Sequence, residues 1–350
     1  MSIETLYAPR TMLAALKNIT KPKRFLINMF VSQVQTHTTE AGDIDVVKGG
    51  RKLAPFVSPR VEGKVIERNG YATHTYKPPY IKPKRITTAH HALVRLPGEM
   101  LYDSGMGPNE RAMEILQNDF TDLEDQISRR EEWMAAQLLQ TGKVVCVGDG
   151  INETVDFLMG SSWKPVLAST AKWNAVSTAT PIDDFTTGKG IGLKAGKNMN
   201  VAIMNQATLG YLLGNTKQVI GASSVFDKTK ITLGTIQPEQ LEPGVSYVGR
   251  IAGIGLDIYT YDEYYEEDNN GSARLFPMIA DGKVIMGSTL ARTTMHYGVI
   301  QDLEAGTLAV AARFPKTWIE KDPSARILML QSAPLPALHE IEAFLCATVY

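Results

Sequence analysis

The stretch from Pro108 to Thr141 restricts this chain more than any other. Met113, Leu116, Phe120, Leu123, Ile127, Met134 and Leu138 recur at three- and four-residue steps, with one polar visit at Arg130. Glu114, Asp119, Asp122, Glu124 and Asp125 fill the other side. That periodicity predicts an amphipathic helix, started by Pro108 and stopped at Thr141-Gly142. At 1.5 Å per residue it runs about 50 Å, long for a globular protein and better suited to a beam than a filler. The stripe is too short, and too lacking in a partner stripe, for a coiled coil.

The 63 residues numbered 36–98 are the opposite kind of sequence. Strand-like pieces at 43–47, 61–68, 71–76 and 86–88 alternate with Lys-Gly-Gly, Ser-Pro and Lys-Pro-Pro steps. Asn69-Gly70 between two of these runs predicts a tight hairpin. Pro78, Pro79 and Pro83 keep the following chain extended and deny it ladder donors. Few large apolar residues occur here, so the segment reads as a long two-stranded arm. A bare hairpin is marginal in water and needs a surface to lie on. Upstream, a helix is expected near 6–19, and Phe25, Leu26, Ile27, Met29, Phe30 and Val31 form a dense apolar patch. Either the chain's own core or a neighbouring copy must cover it.

Charge separates the same two regions. From Ala41 to Gly98 there are eleven Lys/Arg against four Asp/Glu, and from Glu99 to Thr141 three against ten. A basic arm crossing an acidic helix, its own or a neighbour's, would set register and choice of partner. The whole chain of 350 residues carries a net charge of -1, which argues against a dedicated nucleic-acid binder but not against DNA as cargo. With 44% hydrophobic residues the chain can bury a substantial core. Cys146 and Cys346 are too few for a zinc set and read as two reduced thiols. The N-terminal residues lack the apolar run of a signal peptide, and no apolar stretch is long enough to span a membrane. Synthesis and assembly in cytoplasm are expected.

The rest reads as α+β with mostly antiparallel strands. Short strands are expected at 144–147 and 154–158, a mobile connection at 168–190, a strand at 200–204 and a helix from 207 to 215. Strands follow at 256–261, 274–278 and 283–286, with a tight turn at Asn269-Asn270-Gly271, then at 307–313, 327–330 and 341–349. Asp262, Glu263, Glu266, Glu267 and Asp268 make a solvated acidic hairpin tip.

Catalytic signatures are missing. Gly188 to Lys197 looks like a phosphate loop, but Ile191 stands where the first glycine must be and Asn198 where Ser or Thr must hold magnesium, so it reads as a flexible Gly/Lys loop. Gly253-Ile254-Gly255 lacks the third glycine of a dinucleotide fingerprint. His90-His91, adjacent in an expected strand, would face opposite sides and share no metal. The acids from Asp149 to Asp156 lack calcium-loop spacing. No catalytic residue, cofactor site or metal site is therefore expected, and the chain is read as a non-enzyme.

Several ordered blocks carry a resemblance. They are Pro55-Phe56-Val57-Ser58-Pro59 with Gly63-Lys64-Val65-Ile66; Tyr80-Ile81-Lys82-Pro83-Lys84 with Arg95-Leu96-Pro97; Val284 to Thr289 with Ala291-Arg292; Tyr297 to Asp302; Ala312 to Trp318; and Asp322-Pro323 with Gln331 to Leu335. Their order and spacing over residues 30–345 resemble the lambda-like major capsid proteins of tailed bacteriophages, the phage major capsid protein E family. That resemblance implies the Hong Kong 97-type capsid fold. It divides the chain into an N-terminal arm (1–35), an extended loop (36–98), and a peripheral domain (99–200) with spine helix 108–141 and insertion 143–190. An axial domain (201–304) and a return segment (305–350) complete it.

The function so implied is a self-assembling icosahedral shell of pentamers and hexamers around double-stranded DNA. Scaffolding, portal and decoration proteins are the implied partners, and the virion is the implied location. Relatives elsewhere in the fold crosslink covalently; no matching lysine and asparagine are seen here. Phe25, Phe30, Phe56, Lys82, Lys84 and Arg85 are the expected assembly contacts. The rival readings are a nanocompartment shell of the same fold, a tail or baseplate protein, and an α+β hydrolase.

Overall fold

The computed structural model describes residues 12, 24–47, 53–66, 71–94, 107–148, 150–215, 231–233, 239–242, 244–251, 253–269, 272–304, 306, 310–322 and 324–350. The helix expected near 6–19 lies outside them, apart from Met12. Described elements run in the order α1 (Phe25–Phe30), β1 (Gln33–Thr36), β2 (Gly42–Val47), β3 (Tyr71–Tyr76), β4 (Lys84–Thr88), α2 (Ala89–Leu93) and α3 (Pro108–Thr141). Next come β5 (Lys143–Gly148), β6 (Ile151–Asp156), α4 (Pro181–Ala195), β7 (Val201–Met204), α5 (Gln206–Leu213), β8 (Ile231–Leu233), β9 (Glu239–Glu242), β10 (Val245–Ile251) and β11 (Leu256–Tyr261). The chain ends with β12 (Tyr264–Asn269), β13 (Ser272–Pro277), β14 (Lys283–Gly287), β15 (Thr293–Tyr297), β16 (Phe314–Glu320), β17 (Ala325–Gln331), β18 (Pro334–Leu338) and β19 (Phe344–Thr348).

α3 is a single helix of 34 residues, with Pro in its first turn. Its orphan N-terminal N–H groups are partly met by the Glu110 carboxylate, which accepts from Gly107 N at 3.0 Å. It stops at Gly142, whose φ of 72° is left-handed, and where a Cβ would lie 2.2 Å from that of Met159. The inward stripe differs from the one expected in two places. Met113 is half exposed, and Arg130 faces outward with its guanidinium over the Trp133 ring at 5.0 Å. Glu131 and Glu132 turn inward instead, both essentially fully buried.

The three described sheets of three or more strands all pack on this beam. The largest has the order β19-β14-β7-β11-β10-β8, with β9 also on β10. Its central strands, Val201–Met204 and Lys283–Gly287, are covered on both faces, so their sequences are continuous apolar runs rather than alternating ones. A second sheet, β16-β17-β4, lays Leu328 and Leu330 on Phe120, Leu123 and Ile127 in the middle of α3. The third, β1-β15-β18, crosses the C-terminal half. β18 holds two prolines, Pro334 and Pro336, which its edge position tolerates because one side of an edge strand needs no N–H donors.

α1 has six residues, too few to persist alone. It is held by tertiary contact: Phe25 stacks on Tyr261 at 5.4 Å and Phe30 meets Phe344 edge-on at 5.2 Å. Phe30 also fills the space over Gly287, where a Cβ would lie 2.7 Å from its ring.

Several expectations fail for stated reasons. β3 pairs with β2, and described residues 61–66 form no strand; the expected turn at Asn69-Gly70 lies outside the described residues. The second part of the connection expected as mobile at 168–190, and nearly all of the Gly/Lys loop at 188–197, are the helix α4, with Pro181 in its first turn and Gly196 ending it at φ 87°. Gly188 and Gly192 lie in that helix because Met286 and Met199 press against them, with Cβ positions 2.8 and 3.1 Å away. His90 and His91 sit in the short helix α2 rather than a strand. Of the strand expected at 307–313, residues 307–309 lie outside the described residues and 310–313 form no strand; β16 begins at Phe314. The thiols Cys146 and Cys346 are unpaired, and burial pushes the latter up to about 12.

Candidate assembly surface

The N-terminal apolar patch is covered from within. Phe25 and Phe30 are 8% and 3% exposed and belong to the chain's own main core, with Leu26, Tyr261 and Phe344. The root of this arm is locked by ionic groups on α3. Glu132 accepts from Leu26 N at 2.6 Å, Ile27 N at 3.2 Å and Tyr261 Oη at 3.2 Å, so one carboxylate ties α1, α3 and β11 together. Burial pushes its pKa to about 7, against those hydrogen bonds, which favour the charged form.

Beside it, Glu124, Ser128 and Glu131 share one stripe of α3. Arg24 reaches Glu124 (3.3 Å), Ser128 (2.8 Å) and Glu131 (3.1 Å). Arg313 enters from the other side, to Glu124 (2.8 Å), Glu131 (2.7 Å) and Ser332 (2.9 Å). Burial alone would weaken the Arg313 charge, but Glu131 and Glu124 hold it firmly protonated. Tyr297, donating to Glu131 at 3.1 Å, is raised to about 12 by burial and that carboxylate. The Glu131-Glu132 pair was legible in the sequence as polar residues inside an apolar stripe, although the stripe's polar visit was assigned one position early.

The surface left uncovered by the described residues lies elsewhere. Residues 53–66 are exposed throughout, including Leu53 at 93%, Phe56 at 107% and Val65 at 92%. Six large apolar side chains exposed within 14 residues (Leu53, Phe56, Val57, Val61, Val65 and Ile66) suit an interaction surface. At its base Lys82 and Lys84 are exposed, and the Lys82 ammonium sits 5.3 Å over the Tyr80 ring. Arg85 pairs with Asp122 of α3 at 3.1 Å and Thr87 donates to Asp119 at 3.3 Å. The basic-arm and acidic-helix contact is thus made in part within one chain. Of the six expected contact residues, Phe56, Lys82 and Lys84 face outward, Arg85 is shared with its own helix, and Phe25 and Phe30 are internal.

Among the described residues no group of three or more histidine, cysteine or acidic side chains is placed to hold a metal ion. Nor is any described helix long and apolar enough to cross a membrane.

Comparison with known proteins agrees with this geometry. The chain is 27% identical over 355 residues to the major capsid protein of Escherichia phage lambda, covering 97% of this chain and 98% of that one. It is 28% identical over 359 residues to the major capsid protein of Enterobacteria phage P21, covering 98% and 99%. Among solved structures, a prophage capsid protein of Escherichia coli CFT073 superposes with a TM-score of 0.72 at 22% identity over 98% of this chain and 99% of that one. The mature capsid subunit of bacteriophage PhiM1 superposes with a TM-score of 0.50 at 11% identity, over 94% of this chain and 88% of that one. The fold is the α+β Hong Kong 97-type capsid fold. The family model for phage major capsid protein E matches residues 8–349, and the chain belongs to that family.

Proposed function

We propose that this chain is the repeating subunit of an icosahedral bacteriophage head, and that residues 53–66 with Lys82 and Lys84 are what each copy lends to its neighbours. The observation that carries this reading is the loop's exposed apolar side chains, Leu53, Phe56 and Val65, in a member of a capsid family. A loop that exposes this much apolar surface is stabilised when a sister copy removes it from water, at roughly 25 cal/mol per Å² buried. Many such modest interfaces become stable together on closure into a shell. The nearly balanced charge suits a wall past which packaged double-stranded DNA moves without being held.

In this reading α3 with the β16-β17-β4 sheet forms the peripheral domain. The large sheet forms the axial domain, facing the five- and six-fold positions of pentamers and hexamers. Scaffolding, portal and decoration proteins are the further partners it implies. The chain's work is structural, without a catalytic site.

Negative-stain microscopy of the full-length protein, with and without a candidate scaffolding protein, tests this. Closed shells are expected from the wild type, and their loss from Phe56→Ser and from the double variant Lys82→Glu, Lys84→Glu. Normal shells from both variants would refute the assigned contacts. Tubes or rings from the wild type would refute the shell.

A further inference from the structure

Three imidazoles meet on the sheet that crosses the C-terminal half of α3. His296 lies in β15, His37 directly follows β1, and His339 directly follows β18. His37 Nε2 and His296 Nδ1 are 2.7 Å apart, with their rings stacked at 4.9 Å. The His339 ring stands edge-on to that of His296 at 5.9 Å, and its Nε2 bonds Thr294 Oγ1 at 2.9 Å. His296 is 2% exposed, and among the described residues its buried Nε2 has no hydrogen-bond partner.

This geometry suits a neutral His296. Its charged form carries two N–H donors; one can use His37 Nε2, while the buried other has no acceptor among the described residues. The two neighbouring imidazoles add no negative charge to offset it. Burial, then His37 and His339, depress its pKa to about 4. The charged groups around the cluster are engaged elsewhere. Glu40 pairs with Lys77 on the segment after His37, Glu340 pairs with Lys197 beyond His339, and Glu131 binds Tyr297 and Arg313 on the opposite face of β15.

What this pair holds down is a strap. β1 adds to the sheet edge with all four residues exposed, and it is parallel to β15. Ser32 N donates to Thr293 O at 3.2 Å and His37 N to Tyr297 O at 2.8 Å. The strap links the buried α1 to the β2–β3 ribbon that carries the exposed loop, and Gly42 at the ribbon's root packs on the His37 ring, its Cβ position 3.2 Å away.

We propose that the His37–His296 contact is a proton-sensitive latch that fastens this strap, and with it the root of the β2–β3 ribbon, to β15 at neutral pH and releases it on acidification. The sign follows from linkage. A released imidazole takes up a proton near pH 6.5, whereas the docked one resists until far lower pH, so release takes up protons and is favoured as pH falls.

Hydrogen–deuterium exchange on the full-length protein, corrected for intrinsic rate, tests it. Between pH 7 and pH 5, protection of residues 32–37 should fall about twenty-fold relative to the β16–β17 ladder, the factor expected for one depressed imidazole. In His296→Gln the pH dependence should vanish. Unchanged wild-type protection, or a pH dependence that survives in His296→Gln, overturns the latch. Should that variant not fold, ¹³C-imidazole resonances of the wild type decide. Protonation of His296 well below pH 6.5, together with loss of strap protection, supports the latch, and protonation without such loss overturns it.

Discussion

Two segments near the N-terminus, 25–31 and 53–66, both bring phenylalanine and branched apolar side chains and end in opposite environments. The first is folded into a single turn and a half of helix whose phenylalanines reach Tyr261 and Phe344, residues more than 200 positions away in sequence. The second packs against no other described element, and Phe56 is fully exposed. The difference lies in the partners the fold supplies. α1 is met by a carboxylate that satisfies its N-terminal amides and by Gly287, which leaves room for a ring. The loop has no comparable cap and no facing surface among the described residues. Apolar content says that a segment needs covering; it does not say by what.

Removing the two phenylalanines breaks this comparison most directly. Phe30→Ala should destabilise the subunit by about 3–5 kcal/mol in urea unfolding, as buried aromatic truncations do. Phe56→Ala should stay within about 0.5 kcal/mol in the same experiment. Equal effects would mean that the loop is packed in the free chain.

Glu132→Ala should cost about 3 kcal/mol, because two backbone amides and the Tyr261 hydroxyl lose their acceptor in a buried site. Glu132→Gln separates charge from hydrogen bonding. The folded chain holds the Glu132 proton up to about pH 7, the unfolded chain only to about 4.5, so its contribution is full below pH 4.5 and lost as pH rises through 7. The stability difference between wild type and Glu132→Gln should therefore shift by about 3 kcal/mol between pH 4.5 and 7.5, against the wild type at the higher pH. This slope is opposite in sign to that of the His296 latch, so the two devices can be told apart in one titration.

Gly287→Ala should cost about 1–3 kcal/mol by forcing Phe30 aside, and a cavity made by Phe30→Ala should relieve part of that, as a double-mutant cycle would measure. The smallest effect is expected at Arg85→Ala. Its ion pair with Asp122 is half exposed, worth less than about 1 kcal/mol, and should fade with added salt.

The long helix, most strands and the hairpin signals are local, and they were legible for that reason. Pro108 and Gly142 mark the ends of α3 through backbone chemistry alone, and the ordered blocks around Pro55-Phe56, Ile81-Lys82 and Arg313-Phe314 carry the family resemblance. The errors have a common cause. α4 was missed because Gly188, Gly190 and Gly192 argue against a helix, yet Met286 and Met199 pack where side chains would otherwise stand. Asn69-Gly70 lies outside the described residues, but β3 takes as its partner β2, 24 residues upstream at its near end, rather than the nearer segment 61–66. Glu131, Arg24 and Arg313 escaped notice as a cluster because their separations of 107 and 182 positions leave no local trace.

By itself the sequence determined that one beam-like helix must organise an α+β chain, that a basic, poorly covered ribbon must lie on something, and which family the chain resembles. Only the tertiary structure decided that Phe25 and Phe30 are internal while Phe56 is not, that Arg85 serves its own helix, and that three distant histidines meet. Periodicity and turn chemistry act over a few residues and are written into the local order of side chains. Burial, ion pairing and imidazole contact depend on which distant residues arrive at the same place, and only the folded chain supplies that.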